Sequence, residues 1–198
     1  MHIAIYGGSF NPIHRGHAKL AKWIIQQDIV DQLWLLVSPL NPLKEPNPEL
    51  LPDEERLRLA LLAVSDDTCS DRIIVSDFEM KMPRPSYTID TLRALRTTHP
   101  QHRFSLLIGA DNWLSFPRWR DPDEIIAHHD IFVYPRPGYQ VDETTLPTGV
   151  HYLAEAPVYD ISSTQLRHAI AHPDNTFNPS DHLSPSVWAE IQTRGFWT

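Results

Sequence analysis

Two histidines close a glycine-rich stretch near the start of the chain. Residues 7–17 read Gly-Gly-Ser-Phe-Asn-Pro-Ile-His-Arg-Gly-His, with the imidazoles at His14 and His17. His-x-x-His is a spacing that zinc sites use, but the chain has one cysteine and no carboxylate beside this pair, so we expect no metal site formed by protein side chains. Imidazole donors beside a glycine-rich backbone suit an anion instead, and a phosphate group is the natural ligand.

The residues on either side predict a strand, a tight turn and a helix. Residues 3–6 are a short apolar run typical of a buried parallel strand. Apolar residues recur at helical spacing over residues 18–25. This order presents backbone N–H groups and the positive end of a helix to an anion. Paired glycines after a strand are also compatible with a simple turn.

A second stretch offers the same kind of donor late in the chain. Residues 160–167 read Asp-Ile-Ser-Ser-Thr-Gln-Leu-Arg, and three hydroxyl residues at a predicted helix start supply caps and N–H groups together. Alone, this pattern is typical of a capped helix. Together, the two stretches resemble the signatures G-G-[ST]-F-[DN]-P-x-H-x-G-H and I-S-S-T-x-[IL]-R of the nucleotidyltransferase superfamily with H-x-G-H.

Across nearly its full length the chain resembles the bacterial nicotinate-nucleotide adenylyltransferases, which make deamido-NAD from ATP and nicotinate mononucleotide. The resemblance implies that His14 and His17 are catalytic and hold the α- and β-phosphates of ATP. It implies that the second stretch holds adenine and triphosphate, and that a proline-rich loop after the second strand contributes a lysine. The ATP-binding residues implied are Gly8, Ser9, Phe10, His14, His17, Lys44, Ile161, Ser162, Ser163, Thr164 and Arg167.

Four further residues are expected to bind the pyridine nucleotide. Thr88 belongs to a family-like Y-T-x-x-T-L string, and Asp111 follows a strand and is implied to lie near a ribose. Trp119 lies between two arginines and suits stacking on a heteroaromatic ring, which the resemblance specifies as nicotinate. Arg120 stands where the family often has an aromatic residue; we expect it to pair with the nicotinate carboxylate if it turns inwards. Asn11 likewise replaces a common Asp.

The order of apolar runs predicts an α/β protein. Strands that alternate with helices give a doubly wound parallel sheet, similar to the Rossmann-like nucleotidyltransferase fold. We expect residues 1–198 to form a single domain whose helical part from about residue 161 completes the ATP site. The strands are expected at 3–6, 33–37, 73–75, 104–108 and 131–134, with a short strand region bracketed by 152–153 and 158–159. The helices are expected at 18–25, 53–64, 184–194, within 83–92 with Ser86 as N-cap, and after residue 160.

Composition limits the classes of partner. A net charge of −8 argues against a broad nucleic-acid-binding surface, so any phosphate site must be local. A single cysteine, Cys69, excludes an intramolecular disulfide and fits a reducing compartment. No apolar run approaches membrane length and the sequence opens directly on a strand, so we expect a cytoplasmic protein that binds no membrane. The sequence carries no signature of an oligomeric state.

The expected reaction needs no protein nucleophile. A phosphate oxygen of the acceptor attacks the α-phosphorus of ATP in line, and positioning and charge neutralisation supply the catalysis. Mg²⁺ is expected as cofactor, bound mainly through the phosphates of ATP. Three alternatives stay open: nicotinamide mononucleotide as acceptor, another acceptor such as phosphopantetheine on the same fold, and a non-catalytic nucleotide sensor.

Overall fold

Parallel strands form one six-stranded sheet in the part of the chain that the computed structural model describes, which is residues 1–39, 48–66, 70–173 and 176–198. The strands are β1 (His2–Gly8), β2 (Gln32–Val37), β3 (Ile73–Ser76), β4 (Arg103–Gly109), β5 (Ile131–Tyr134) and β6 (Val150–Tyr152). Their order across the sheet is β3-β2-β1-β4-β5-β6, and every neighbouring pair is parallel. The predicted α/β class and parallel sheet are confirmed.

Helices cover both faces of this sheet. In the described residues they are α1 (Arg15–Gln26), α2 (Asp53–Ser65), α3 (Thr88–Thr98), α4 (Ala110–Ser115), α5 (Pro122–His128), α6 (Ser163–Ala171) and α7 (Pro185–Arg194). The alternation of side chains along β1 divides the core into two layers. Ala4 and Tyr6 pack with α1, α2, α6 and α7, whereas Ile3 and Ile5 pack with α3, α4 and α5. The doubly wound arrangement is therefore confirmed. None of these helices has the length and apolar character needed to cross a membrane.

The strand order creates a crevice beside β1. The chain moves outward from β1 to β2 and β3 on one side, and then returns across β1 to β4, β5 and β6 on the other. The loops that leave the carboxyl ends of β1 and β4 therefore diverge. In open α/β sheets ligands bind at such a switch point.

Two local predictions need correction. The N-cap of α3 is Tyr87 and not Ser86, because the first intrahelical bond runs from the Thr91 N–H to the Tyr87 carbonyl at 3.1 Å. The last strand covers Val150–Tyr152, and residues 153–162 carry no strand. The edge strand ends where its pairing with β5 ends, and the following segment passes over α1, where the Lys19 ammonium lies 5.2 Å from the Tyr159 ring centroid.

Candidate active site

A cleft of about 410 Å³ opens at the carboxyl end of the sheet, at the switch point between β1 and β4. Its walls come from the loop after β1 and the start of α4, together with residues around the end of β5 and the start of α6. The described residues that line it are Tyr6, Gly7, Gly8, Ser9, Phe10, Asn11, His14, His17, Pro39, Leu50, Asp111, Asn112, Tyr134, Arg136, Ser162, Ser163, Thr164 and Arg167. Of the predicted ATP-binding residues that the structure describes, all except Ile161 line the cleft; Lys44 lies outside the described residues. Ile161 lies next to the cleft, in a smaller pocket behind His14.

The two histidines lie face to face at the start of α1. Their ring centroids are 3.7 Å apart at an interplanar angle of 29°. The His14 backbone N–H donates to Nδ1 of His17 over 3.2 Å. Because Nδ1 accepts this bond, the neutral imidazole of His17 carries its proton on Nε2. Burial, with Arg136 and His182 nearby, lowers the pKa of His14 to about 3, so this ring is neutral at physiological pH.

Gly16 allows the His14 ring to lie on the first turn of α1. A Cβ at this position would be 3.0 Å from both Cε1 and Nδ1 of His14, and 3.3 Å from Cγ2 of Ile161. The ring would have to move, because such contacts are tighter than ordinary van der Waals packing. A glycine is therefore needed between the two histidines, because a larger residue would collide with the His14 ring.

Helix α6 brings the second stretch against the first. Ser162 caps the helix, with its Oγ accepting from the Gln165 N–H at 3.2 Å and its own N–H donating to Gln165 Oε1 at 2.7 Å. Ser163 Oγ donates to the carbonyl of Pro12 at 2.9 Å, across 151 positions of sequence. The cleft thus receives the amino ends of two helices, α1 and α6, whose dipoles favour a negative ligand.

Arg167 joins the same wall from inside α6. Its guanidinium is buried, and Nη1 donates to the Asn11 carbonyl at 3.0 Å. Its Nε donates to Glu49 Oε2 at 2.8 Å, so its charge is paired with a carboxylate that is half exposed. Asn11 in turn donates from its side-chain amide to the Glu49 carbonyl at 3.0 Å and accepts from the Leu51 N–H at 3.1 Å. An Asp at position 11 could accept the second bond but could not donate the first.

Sequence reasoning missed Tyr6, Tyr134 and Arg136, which line the cleft around the predicted Asp111. The hydroxyls of Tyr6 and Tyr134 lie 3.3 Å apart, and burial raises the pKa of both. Beside them, Oδ1 of Asp111 is buried with no hydrogen-bond partner among the described residues, while Nε of Arg136 lies 3.5 Å from it. Gly109 permits this crowding, because a Cβ there would be 2.4 Å from Asp111 Oδ1. Both tyrosines are the last residues of predicted strands. Ligands bind at the carboxyl ends of strands in open α/β sheets, so that position could have identified them as cleft residues.

Comparison with known proteins agrees with this geometry. The cytidylyltransferase-like family matches residues 5–169. A probable nicotinate-nucleotide adenylyltransferase of Porphyromonas gingivalis is 48% identical over 170 residues, which cover 86% of this chain and 84% of that protein. A probable nicotinate-nucleotide adenylyltransferase of Bacteroides fragilis is 47% identical over 167 residues, which cover 84% of this chain and 81% of that protein. The chain belongs to the cytidylyltransferase-like family, among the nicotinate-nucleotide adenylyltransferases.

Solved structures share the family's fold. A Plasmodium falciparum nicotinic acid mononucleotide adenylyltransferase complexed with NaAD superposes with a TM-score of 0.83 over 99% of this chain and 97% of that one, at 18% identity. A putative nicotinate-nucleotide adenylyltransferase from Vibrio parahaemolyticus gives a TM-score of 0.71 over 99% and 94%, at 20% identity. At these identities the likeness concerns the fold.

The residues predicted for the pyridine side of a family substrate do not all meet in the cleft. Asp111 lines it, whereas Thr88, Trp119 and Arg120 lie outside it. Trp119 packs on Phe116 with ring centroids 5.2 Å apart, and its Nε1 is buried without a hydrogen-bond partner in the described part of the chain. Arg120 is exposed: Nη1 donates to Asp90 at 3.2 Å, and the guanidinium lies 4.9 Å from the Tyr87 ring centroid. Their binding roles stay predictions.

The donor set of the cleft fits a Mg²⁺ ion held mainly by phosphates. Over the described ranges, no group of three or more His, Cys, Asp or Glu side chains is arranged to hold a metal. Asp111 does supply one carboxylate oxygen without a hydrogen-bond partner in the cleft. Mg²⁺ needs one or two protein carboxylates when phosphates and waters complete its octahedron. Lys44 and Cys69 lie outside the described residues.

Proposed function

We propose that this protein joins ATP and nicotinate mononucleotide to give deamido-NAD and pyrophosphate, a step of NAD biosynthesis. The observation that carries the proposal is one cleft that is lined by both the His14–His17 pair and the amino end of α6. Relatives 47–48% identical to this chain bear the name of that enzyme, preceded by "probable". The phosphate oxygen of nicotinate mononucleotide attacks the α-phosphorus of ATP, and the bond from that phosphorus to the pyrophosphate oxygen breaks.

The side chains of the cleft act by positioning and by neutralising charge. Nε2–H of His17 and the neutral imidazole of His14 donate to the phosphates, next to the positive end of α1. The amino end of α6 and Arg167, which lie beside the histidines on the same wall, hold the triphosphate. Because no protein group becomes covalently attached, the contribution of each residue is a hydrogen bond or a charge aimed at developing negative charge.

The ATP phosphates and the Asp111 carboxylate would together hold Mg²⁺ in the cleft. When bound, it neutralises charge on the phosphate oxygens. Arg136, 3.5 Å from Asp111, then keeps a positive charge beside the same carboxylate.

An acceptor panel tests this function. Purified protein is incubated with ATP and Mg²⁺ and one candidate acceptor, and pyrophosphate release is measured. We expect rapid release with nicotinate mononucleotide and little with phosphopantetheine or with sugar and glycerol phosphates. The dinucleotide product is identified by mass spectrometry. Release with another acceptor alone would assign a different transferase on this fold, and no release with any would favour a nucleotide sensor.

A further inference from the structure

Arg56 is a fully buried cation that the proposed reaction does not use. Its side chain is 0% exposed and lies on the same face of α2 as Leu59 and Ala60, which belong to the core. It does not line the cleft. A buried charge is costly unless it is paired and hydrogen-bonded, so the surroundings of this guanidinium show what holds it there.

All five N–H groups of the Arg56 guanidinium donate hydrogen bonds, which is the full capacity of the side chain. Four acceptors are backbone carbonyls from the ends of three separate segments, and the fifth is a carboxylate. The acceptors are Leu51 O at 3.0 Å from Nε, Ser9 O and Ser38 O each at 2.7 Å from Nη1, Pro39 O at 3.1 Å from Nη2, and Asp53 Oδ1 at 2.5 Å from Nη2. One side chain thereby ties the loop after β1 to the end of β2 and to the start of α2.

The bond to Ser9 reaches the cleft through one peptide group. The Ser9–Phe10 peptide is trans, so its carbonyl and its N–H point in opposite directions. Ser9 and Phe10 line the cleft, whereas Arg56 lies behind them. Because the cation holds the Ser9 carbonyl, the Phe10 N–H of the same peptide points away from Arg56.

The backbone of Phe10 requires such a restraint. Its φ is +44°, in the left-handed region that non-glycine residues rarely adopt. Its ring is edge-on to His17 with centroids 5.0 Å apart, and to Tyr6 at 5.6 Å. The ring contacts hold one end of the residue, and Arg56 holds the peptide that precedes it.

We propose that Arg56 is a positioning residue that fixes the backbone of residues 8–10, so that the Phe10 N–H meets the nucleotide's phosphates. The inference rests on the proposed nucleotide site, although not on the transfer step. A positive charge alone would not fix this backbone, because five acceptors must be bonded at once. The ammonium of lysine has three donors on one nitrogen and cannot reach five acceptors arranged around a planar fork.

The test compares Arg56→Lys with Arg58→Lys, a matched control on the same helix whose side chain is exposed and bonded to Glu190. Binding of pyrophosphate with Mg²⁺ is measured by calorimetry. We expect Arg56→Lys to raise Kd about 10-fold or more, because displaced groups lose oriented contacts, and Arg58→Lys to change it less than about 2-fold. A folded Arg56→Lys protein that binds pyrophosphate like the wild type overturns the inference.

A measurement on the wild-type protein keeps the inference testable if Arg56→Lys does not fold. On titration with pyrophosphate, the Phe10 amide is expected to show one of the largest ¹H and ¹⁵N shifts, and an unmoved Phe10 amide overturns the proposal. A wild-type protein that binds pyrophosphate through Phe10 more tightly than Arg56→Lys does, but transfers no adenylyl group, would remove the proposed function and support this inference. A wild-type protein that binds no pyrophosphate would overturn both.

Discussion

His17 is held by its neighbours in one orientation. The His14 N–H donates to its Nδ1, the His14 ring stacks on it, and the Phe10 ring stands edge-on to it. These contacts leave Nε2–H as the donor that a neutral His17 offers. The side chain is only half-buried and lies in the cleft, so we expect its main contribution to be charge stabilisation and not packing of the core.

Replacement of His17 tests this assignment. We expect His17→Ala to lower kcat for adenylyl transfer by about 10²- to 10³-fold, since loss of one donor to developing charge costs that much in other enzymes. Circular dichroism and thermal unfolding serve as controls for folding. A folded variant with near wild-type turnover would contradict the assignment.

His14 differs because it is buried. Its pKa is lowered to about 3 by burial, with smaller effects of Arg136 and His182, whereas an unfolded histidine titrates near 6.5. Between these values the unfolded chain binds a proton at this site and the folded protein does not. The contribution of this group to the unfolding free energy is therefore fully present above pH 6.5. It falls by about 1.4 kcal/mol for each pH unit as the pH drops from 6.5 towards 3.

His14→Asn isolates this contribution, because Asn is a good N-cap for α1 and does not titrate. From pH 7 to pH 5, we expect the wild type to lose about 2 kcal/mol more unfolding free energy than the variant. Urea titrations at both pH values measure the difference. Parallel losses in the two proteins would show that the His14 pKa is not lowered in the folded state.

At the scale of elements, α2 shows what periodicity can and cannot predict. The helix predicted at 53–64 is found at Asp53–Ser65. Periodicity predicts an apolar face of Leu57, Ala60, Leu61 and Val64, but the buried residues are Arg56, Leu59, Ala60 and Ala63, and Leu61 is 52% exposed. The partners of Arg56 are carbonyls from distant segments, and carbonyls leave no trace in residue types. The sequence therefore predicted the helix but neither its buried face nor the burial of Arg56.

The edge strand and the cleft show the same difference between local patterns, which the sequence displays, and contacts between distant segments, which it does not. The helix-forming stretches at His14–His17 and Ser162–Arg167 were predictable because their donors are adjacent in sequence. The start of β6 at Val150 depends on pairing with Ile131, which no local pattern encodes. Tyr6 and Tyr134 likewise meet only because β4 alone separates β1 from β5 in the sheet.

For the whole molecule, an acidic chain contains a local site for anions. The net charge is −8, yet the described walls of the cleft combine Arg136, Arg167, two histidines and the amino ends of two helices. The strand order that centres β1 brings these groups together at one crevice. Long-range attraction of a polyanionic substrate is therefore weak, and affinity must come from contacts within the cleft.

We expect the choice between acid and amide substrates to depend on residues outside the cleft, near the start of α3. The pyridine ring is predicted to reach Thr88 and Trp119. The backbone N–H of Trp119 already donates to the Phe116 carbonyl at 2.9 Å. Thr88, by contrast, is the first residue of α3, where helix N–H groups lack intrahelical partners. A helix start favours a carboxylate, and its N–H groups would face the amide NH₂ donor to donor.

We therefore expect nicotinate mononucleotide to be preferred over nicotinamide mononucleotide by about 10²-fold or more in kcat/KM. Both substrates are measured at the same ATP and Mg²⁺ concentrations. Because Arg120 pairs with Asp90 at the surface, Arg120→Ala should reduce the preference by less than about 10-fold, as expected for an exposed charge. A larger loss would mean that Arg120 turns to the substrate carboxylate. Equal use of both nucleotides by the wild type would exclude recognition of the carboxylate at the start of α3, while leaving adenylyl transfer itself intact.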